Sequence, residues 1–450
     1  MTESSYIAAI EIGSSKISGA IGTVTYDGIK VVAYASEPVN GFIAKGVVRN
    51  VDETGESLTS IINRMEAQLK DVEIQKAYVA FGGQSMKSIK STVVKDFDEY
   101  TKITQDIIDE IALENDSTFI VPNGYYKIQV IQQECKLNGE TITSPIGVPT
   151  RRIQCNFLNI IIKEQYVKQL EESFSLANIE IADSFNATLE ADILLAEDEK
   201  RSGCALVNIG AETTTVVLYS NNIMRQLIVL PLGSDNITKD LSAENITRQE
   251  AEQLKIFKGY ASDASDNSAL PTELVDEIIE ARMSEILLNV KHRIKESQEN
   301  INNIIFTGGG ARLKNFEKLI SENLTGYKLR IATEFTASYR SEESLYLMKG
   351  ALTPTLYGLL KIGKENCCNK LEVQATQPIP EDIFSQDNVK PAERIEKQEV
   401  EQNIEPEVKP ETKTTVKNGD KKKTGKFKQM FFDFFDNVTR EEDDNTRDDD

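Results

Sequence analysis

The segment CALVNIGAETTTVVLY, from Cys204 to Tyr219, reads as an apolar run, a glycine corner and a second apolar run. β-Branched and apolar residues on both sides of Gly210 predict strand, tight turn, strand, with glycine supplying the unusual backbone angles of the corner. The same pattern occurs near the start of the chain. Ala8-Ala9-Ile10-Glu11-Ile12-Gly13-Ser14-Ser15-Lys16 aligns with Ala205-Leu206-Val207-Asn208-Ile209-Gly210-Ala211-Glu212-Thr213. Each copy carries a polar residue two positions before the glycine, able to reach a metal-bound water, and small or hydroxyl residues after it. Two such hairpins predict a duplicated domain whose turns face one cleft. Amides of glycine turns form anion-binding concavities, so a phosphate chain is the expected ligand. Either hairpin alone is equally well an ordinary hairpin of an antiparallel sheet; the pair is what carries the reading.

The 450-residue chain has 51 Lys+Arg against 72 Asp+Glu, a net charge of -21. Its length allows two or three domains, and its charge argues against nucleic-acid binding over the general surface. Five cysteines, Cys135, Cys155, Cys204, Cys367 and Cys368, show no metal-ligand spacing; an odd number in apolar surroundings predicts free thiols in a reducing cytoplasm. The first residues lack the pattern of a signal peptide, and no run has the length of a membrane span. The single histidine, His292, sits on a charged helix, which argues against histidine catalysis and His-ligated metal.

An amphipathic helix is predicted from Glu53 to Leu69 and a buried strand over Lys76 to Phe81. From about Gln84 to Ile162 the pattern changes to short strands, a charged helix near 105–114 and turn residues, which reads as an insertion. Helices follow near 166–177 and 187–195. Beyond the second hairpin come helices at 237–241, 248–257 and 274–295. Ile304-Ile305-Phe306 then runs into Gly308-Gly309-Gly310 and a further helix. Three glycines after a strand predict a close backbone approach, with a base or ribose as the guest. A helix pair broken at Pro354 spans 345–360. After about Glu365 one aromatic (Phe384) and five prolines stand among Glu, Lys, Gln and Thr up to Asp420. That composition reads as a disordered linker spanning roughly 40 Å.

The tail breaks this character. Phe427, Met430, Phe431, Phe434, Phe435 and Val438 fall on one helical stripe, preceded by Lys421, Lys422, Lys423, Lys426 and Lys428. A basic cluster beside a short apolar face predicts an anchor in the interface of an anionic membrane. A helix that docks in a protein groove, or folds back on the body, has the same pattern. Residues 440–450 carry seven acids and two arginines, which oppose an anionic surface.

With these parts in order, the chain resembles the FtsA family of actin-like bacterial cell-division proteins. The resemblance covers about residues 6–360 plus the tail. It rests on AIEIGSSKISGAIG, PIGV, LVNIG with LPLGSDNITKDL, RQEAEQLK and IIFTGGGARL. It implies an α/β, actin-like ATPase (ribonuclease H-like) fold, duplicated about a nucleotide cleft, with an FtsA-type inserted subdomain. The implied organisation is a first domain at 1–83 and 165–200, the insertion at 84–164 and a second domain at 201–365. A linker at 366–423, a membrane helix at 424–439 and an acidic tail at 440–450 follow. ATP and Mg²⁺ are the implied cofactors. The C-terminal peptide of FtsZ, further copies of the chain, anionic inner-membrane lipid and later division proteins are the implied partners, at the cytoplasmic face of the inner membrane.

By position, the resemblance puts Glu11 at the acidic place of the first phosphate loop, with Gly13, Ser14, Ser15 and Lys16 on the phosphates. Gly210, Glu212, Thr213 and Thr214 belong to the second loop. Glu252 and Lys255 flank ribose and adenine, and Gly308, Gly309 and Gly310 lie beneath the base. No residue is implied as a direct metal ligand. Lipid contact falls to Lys426, Phe427, Lys428, Met430, Phe431, Phe434, Phe435 and Val438. The family pattern at the second loop is Asp-Ile-Gly-Gly-Gly-Thr-Thr, whereas this chain has Asn208-Ile209-Gly210-Ala211-Glu212-Thr213-Thr214. Asn208 lacks the charge that would hold a Mg²⁺-bound water, and Glu212 adds a negative charge near the phosphates. Either Glu212 points away, leaving ATP bound and slowly hydrolysed, or it occupies the cleft and makes nucleotide binding weak or metal-dependent. Nucleotide binding with weak hydrolysis at most is expected. The same core also suits a pilus-assembly scaffold or a sugar- or acetate-kinase type of phosphotransferase; the tail argues against both. A chaperone ATPase would need a β domain after the core.

Overall fold

Each glycine corner joins two antiparallel strands. Tyr6–Ile12 pairs with Lys16–Thr25 in a register that closes at Ile12 opposite Ile17. Cys204–Ile209 pairs with Thr214–Ser220 and closes at Ile209 opposite Thr214. A third antiparallel strand extends each hairpin, Gly28–Pro38 in one case and Ile223–Leu230 in the other. On its other side each first strand meets a parallel neighbour, Lys76–Phe81 or Asn303–Thr307. Outside these lie Glu180–Phe185 and Lys328–Ile331, again parallel. The two halves therefore repeat one five-strand arrangement. The parallel strands KAYVAF and NIIFT are nearly continuous apolar runs because helices cover both faces of such sheets.

The computed structural model describes residues 5–26, 28–69, 72–142, 144–185, 189–260, 269–333, 335, 338–339 and 352–370. These lie in one unit, Met1–Leu371. The predicted linker beyond Lys370, the membrane helix at 424–439 with its eight lipid-facing residues, and the acidic tail lie outside the described residues.

Helix Val51–Glu66 begins where the Asn50 side chain accepts from the Asp52 and Glu53 amides, and it buries Leu58, Ile61, Ile62 and Met65 as its 3.6-residue period requires. Helix Thr272–Glu296 buries Val275, Ile279, Met283, Ile286, Leu287, Val290 and Ile294 against the second sheet. Pro354 opens the second helix of the expected pair, and the first, from 345, falls almost wholly outside the described residues. Thr353 caps Pro354–Ile362 and proline takes the first turn, where a missing N–H costs nothing. The helix expected near 187–195 is described only as Leu189–Leu194. The ordered body also runs past 365, because Cys368–Lys370 pairs antiparallel with Val72–Ile74.

The insertion is built from long strands, not short ones. Lys87–Lys102, Tyr125–Leu137 and Pro149–Lys163 form a meander with the short Glu140–Ile142 at its edge and helix Gln105–Thr118 against it. Lysines and acids on the exposed face of Lys87–Lys102 obscured its period of two. Val93, Ile103, Ile108, Ile111, Leu137, Ile153 and Phe157 give it a core of its own. One bridge, Ile228 opposite Lys87, joins it to the second half's sheet and brings that sheet to nine strands. Beside that joint Gln133 Nε2 donates to the Met224 carbonyl at 2.5 Å, and Arg225 pairs with Glu134 at 2.6 Å.

Two of the five cysteines are not free. Cys135 and Cys155 stand directly opposite each other on neighbouring antiparallel strands, 4.1 Å apart at Cα, and form a disulfide. Opposed positions on adjacent strands bring side chains together regardless of their separation in sequence. Cys204, Cys367 and Cys368 are free and buried. Closing a loop of sequence separation 20 is worth ~3 kcal/mol in the chain-entropy account. The thermal midpoint is accordingly expected to fall by several degrees on reduction, and a Cys135→Ala/Cys155→Ala double variant to be insensitive to reductant. Calorimetry with and without a thiol reductant reads both.

Candidate functional site

The two corners are closed by the same bond. Gly13 N–H donates to the Lys16 carbonyl at 3.1 Å, and Gly210 N–H to the Thr213 carbonyl at 2.8 Å. A Cβ on either glycine would meet that carbonyl oxygen at 2.8 or 3.0 Å, so side chains are disfavoured at both places. The amides inside the turns, those of Ser14, Ser15, Ala211 and Glu212, meet no protein acceptor among the described residues. Free amides left by a tight turn are the material of an anion site.

The corners face a common segment. Gly46 N–H donates to Ser14 Oγ at 2.8 Å, and the adjacent Lys45 N–H donates to Glu212 Oε2 at 2.6 Å. Glu212 Oε1 also pairs with Lys239 at 3.1 Å. The Glu212 carboxylate thus reaches from the second half to the first, where it accepts from the Lys45 amide. Lys16 Nζ lies 3.5 Å from the Tyr34 hydroxyl, and Ser15 is exposed. Thr213 contributes the turn-closing carbonyl, while Thr214 is buried with its hydroxyl on the Leu232 carbonyl.

Behind the second corner, Ser234 N–H donates to the Gly210 carbonyl and Asp235 N–H to the Ala211 carbonyl. Lys255, on helix Arg248–Lys258, is buried. Its Nζ bonds Glu252 at 2.7 Å, Thr238 at 2.9 Å and the Ser234 carbonyl at 3.4 Å. Glu252 and Lys255 therefore share one face, as their spacing of three predicts, and form a pair next to the second turn.

The glycine triplet is tight for a reason other than the one expected. Gly308 has φ +88°, and a Cβ there would lie 2.3 Å from Asn208 Oδ1 and 2.5 Å from the Ile209 carbonyl. A Cβ on Gly310 would strike the Ile209 side chain at 2.4 Å. These two glycines accommodate the neighbouring strand. Only exposed Gly309 faces open space in which a guest could stand. The chain then makes a single turn of 3₁₀ helix, Gly310–Arg312, and the α-helix starts later, at Phe316.

The floor holds residues that the sequence did not single out. Glu190, on helix Leu189–Leu194, is buried; its Oε1 accepts from Asn208 Nδ2 at 2.6 Å and from the Thr355 hydroxyl. Its Oε2 is buried and has no partner among the described residues. Glu11 accepts from the Thr353 hydroxyl. Desolvation raises the Glu11 pKa against the pull of Thr353 and Lys16. It pushes Glu190 up to about 8, with the Glu11 charge acting in the same direction. An acid on the apolar face of LEADILL was the available signal for Glu190. A cavity of about 370 Å³ lined by Asp192, Leu194, Arg330, Phe335, Tyr357 and Lys361 lies beside this helix and contains none of the predicted site residues.

A family model described as Cell division protein FtsA matches residues 205–345. Cell division protein FtsA of Porphyromonas gingivalis is 29% identical over 353 residues, covering 72% of this chain and 72% of that protein. Its counterpart in Pseudomonas aeruginosa is 25% identical over 338 residues, covering 70% and 80%. The solved PilM-PilN type IV pilus biogenesis complex superposes with a TM-score of 0.56 at 15% identity, covering 79% of this chain and 97% of that one. That likeness bears on the fold, which is actin-like α/β, as the paired turns and the resemblance predict.

Alanine at the triplet separates packing from access. Gly308→Ala is expected to cost roughly 2 kcal/mol or more of stability, through positive φ and contact with Asn208 and Ile209. Gly309→Ala is expected to leave stability within about 0.5 kcal/mol. Denaturant titration of the two variants checks the contrast.

Proposed function

We propose that this chain is an actin-like cell-division protein of the FtsA type, which binds ATP with Mg²⁺ between its two turns, assembles with copies of itself and tethers FtsZ filaments to the cytoplasmic face of the inner membrane, where later division proteins join. The observation that carries the nucleotide part is the set of four amides, two in each corner, that meet no protein acceptor among the described residues, in turns whose Ser14 and Glu212 side chains both bond the Lys45–Gly46 segment. They suit a chain of phosphates. Ser14, Ser15 and Lys16 would hold it from the first half, and Gly210 and Thr213 from the second. Glu252 and Lys255 would flank the ribose and adenine, with open Gly309 under the base. Mg²⁺ would arrive on the phosphates, where it supplies charge neutralisation, and no residue of this chain is needed as its direct ligand.

Hydrolysis is expected to be weak at most. Asn208 brings no charge to orient a metal-bound water. Its amide N–H is committed to Glu190 at 2.6 Å. Glu212 opposes the phosphates: two like charges near 6 Å repel by roughly 3 kcal/mol at an effective dielectric of about 20. Glu212→Ala should therefore tighten Mg·ATP binding by about tenfold, equivalent to ~1.4 kcal/mol. Isothermal titration of the wild type and the variant measures this, and unchanged or weaker binding would remove Glu212 from the account.

The membrane part rests on the sequence alone, on the apolar stripe Phe427, Met430, Phe431, Phe434, Phe435 and Val438 with the lysines Lys426 and Lys428. Among the described residues no helix is long and apolar enough to cross a membrane. Full-length protein should co-sediment with anionic liposomes and carry FtsZ with it. A chain ending at Asp420 should do neither, and equal lipid binding by both would dismiss the tether.

A further inference from the structure

Below the turns the phosphate chemistry leaves one group unused. Glu190 is 2% exposed. Its Oε1 receives two donors, from Asn208 and Thr355, while its Oε2 is enclosed without a partner among the described residues. A carboxylate with a bare, buried oxygen is costly, whereas a carboxylic acid with its proton on that oxygen carries no charge to desolvate. The neighbours favour the acid. Strand Tyr6–Ile12 presents Glu11, an acid, and the next strand, Lys16–Thr25, begins with Lys16, whose charge acts on Glu11. Strand Cys204–Ile209 presents the amide of Asn208, and the start of helix Pro354–Ile362 presents the hydroxyls of Thr353 and Thr355. None of the donors to Glu190 is a cation.

We propose that Glu190 is a neutral acid in the nucleotide-free protein and gives up its proton when a metal–nucleotide complex seats above it, so that binding is proton-coupled. The O–H bond of the Glu190 carboxyl breaks, the proton passes to buffer, and no electrons are exchanged. The divalent cation carried by the phosphates supplies the positive charge that the floor lacks, and the ionised carboxylate answers it. Burial, reinforced by Glu11, holds the group near 8, so the proton is present at neutral pH. Asn208 fits this role better than an aspartate would, because it donates to Glu190 where a second carboxylate would repel it. The inference rests on the nucleotide reading above.

Calorimetric titration with Mg·ATP at pH 7 in phosphate and in Tris, buffers of different protonation enthalpy, reads the proton directly. Close to one proton released per nucleotide is expected, with affinity rising about tenfold per pH unit up to about pH 8 and levelling above it. In Glu190→Gln, which cannot ionise, any binding that remains should have the same heat in both buffers. Equal heats for the wild type, or proton release that persists in Glu190→Gln, would overturn the proposal. A second measurement needs no nucleotide. A folded-state pKa raised from 4.5 to about 8 contributes stability that is full below 4.5 and lost as pH rises through 8. The thermal midpoint of the wild type should therefore fall relative to that of Glu190→Gln between pH 5 and 8, and a constant difference would overturn the neutral acid. If Mg·ATP gives no heat in any buffer while that fall is seen, the nucleotide reading and its proton coupling fail and only the neutral acid stands.

Discussion

The architecture depends on a small bond made twice, a glycine amide donating to the carbonyl three residues on. It folds each strand back on itself within a few atoms of chain, at 3.1 Å in one half and 2.8 Å in the other. Because that bond consumes only the first amide of the corner, the next two are left without a protein acceptor among the described residues. Everything around the corners keeps them in place. Parallel strands buttress the first strand of each hairpin, and the Lys45 and Gly46 amides donate to one side chain from each turn. A turn loose enough to accept a Cβ at Gly13 or Gly210 would lose its closing bond and let those amides find other partners.

The electrostatics of the cleft then follow from two substitutions relative to the family pattern. Asparagine at 208 changes an acceptor-only side chain into one with a donor, and the donor goes to Glu190. Glutamate at 212 sends a carboxylate across to Lys45 and Lys239. The result is a carboxylate that bridges from the second half to the first and a buried carboxyl bonded to Asn208. Glu190 Oε1 is engaged with Asn208 and Thr355, which leaves Oε2 as its only oxygen without a partner among the described residues.

The insertion is tied to the body by polar contacts as well as by its backbone. The ladder irregularity after Cys155 lies opposite the stretch that carries Gln133 and Glu134, whose side chains meet Met224 and Arg225 on the second half. The disulfide fixes the two insertion strands at that point. Arg225 and Glu134 are both largely buried, so removal of either partner would strand a charge away from water.

The sequence by itself determined the duplicated strand–turn–strand units, since apolar runs flanking a glycine corner have few other ways to satisfy their backbone. It also located most helices, through their period, and showed that Glu252 and Lys255 share a face. The last described strand, Cys368–Lys370, lies beyond the break in character that the composition places after 365. Only the tertiary structure decided the rest. Cys135 and Cys155 meet because two strands adopt one register, which sequence separation does not encode. Gly308 and Gly310 have no room for a side chain because the neighbouring strand stands against them at Asn208 and Ile209. Glu190 became part of the site because a short helix, a strand end and a helix cap converge from positions 190, 208 and 355. Hydrogen bonding and desolvation act between neighbours in space, and a linear pattern carries them only where those neighbours are also close along the chain.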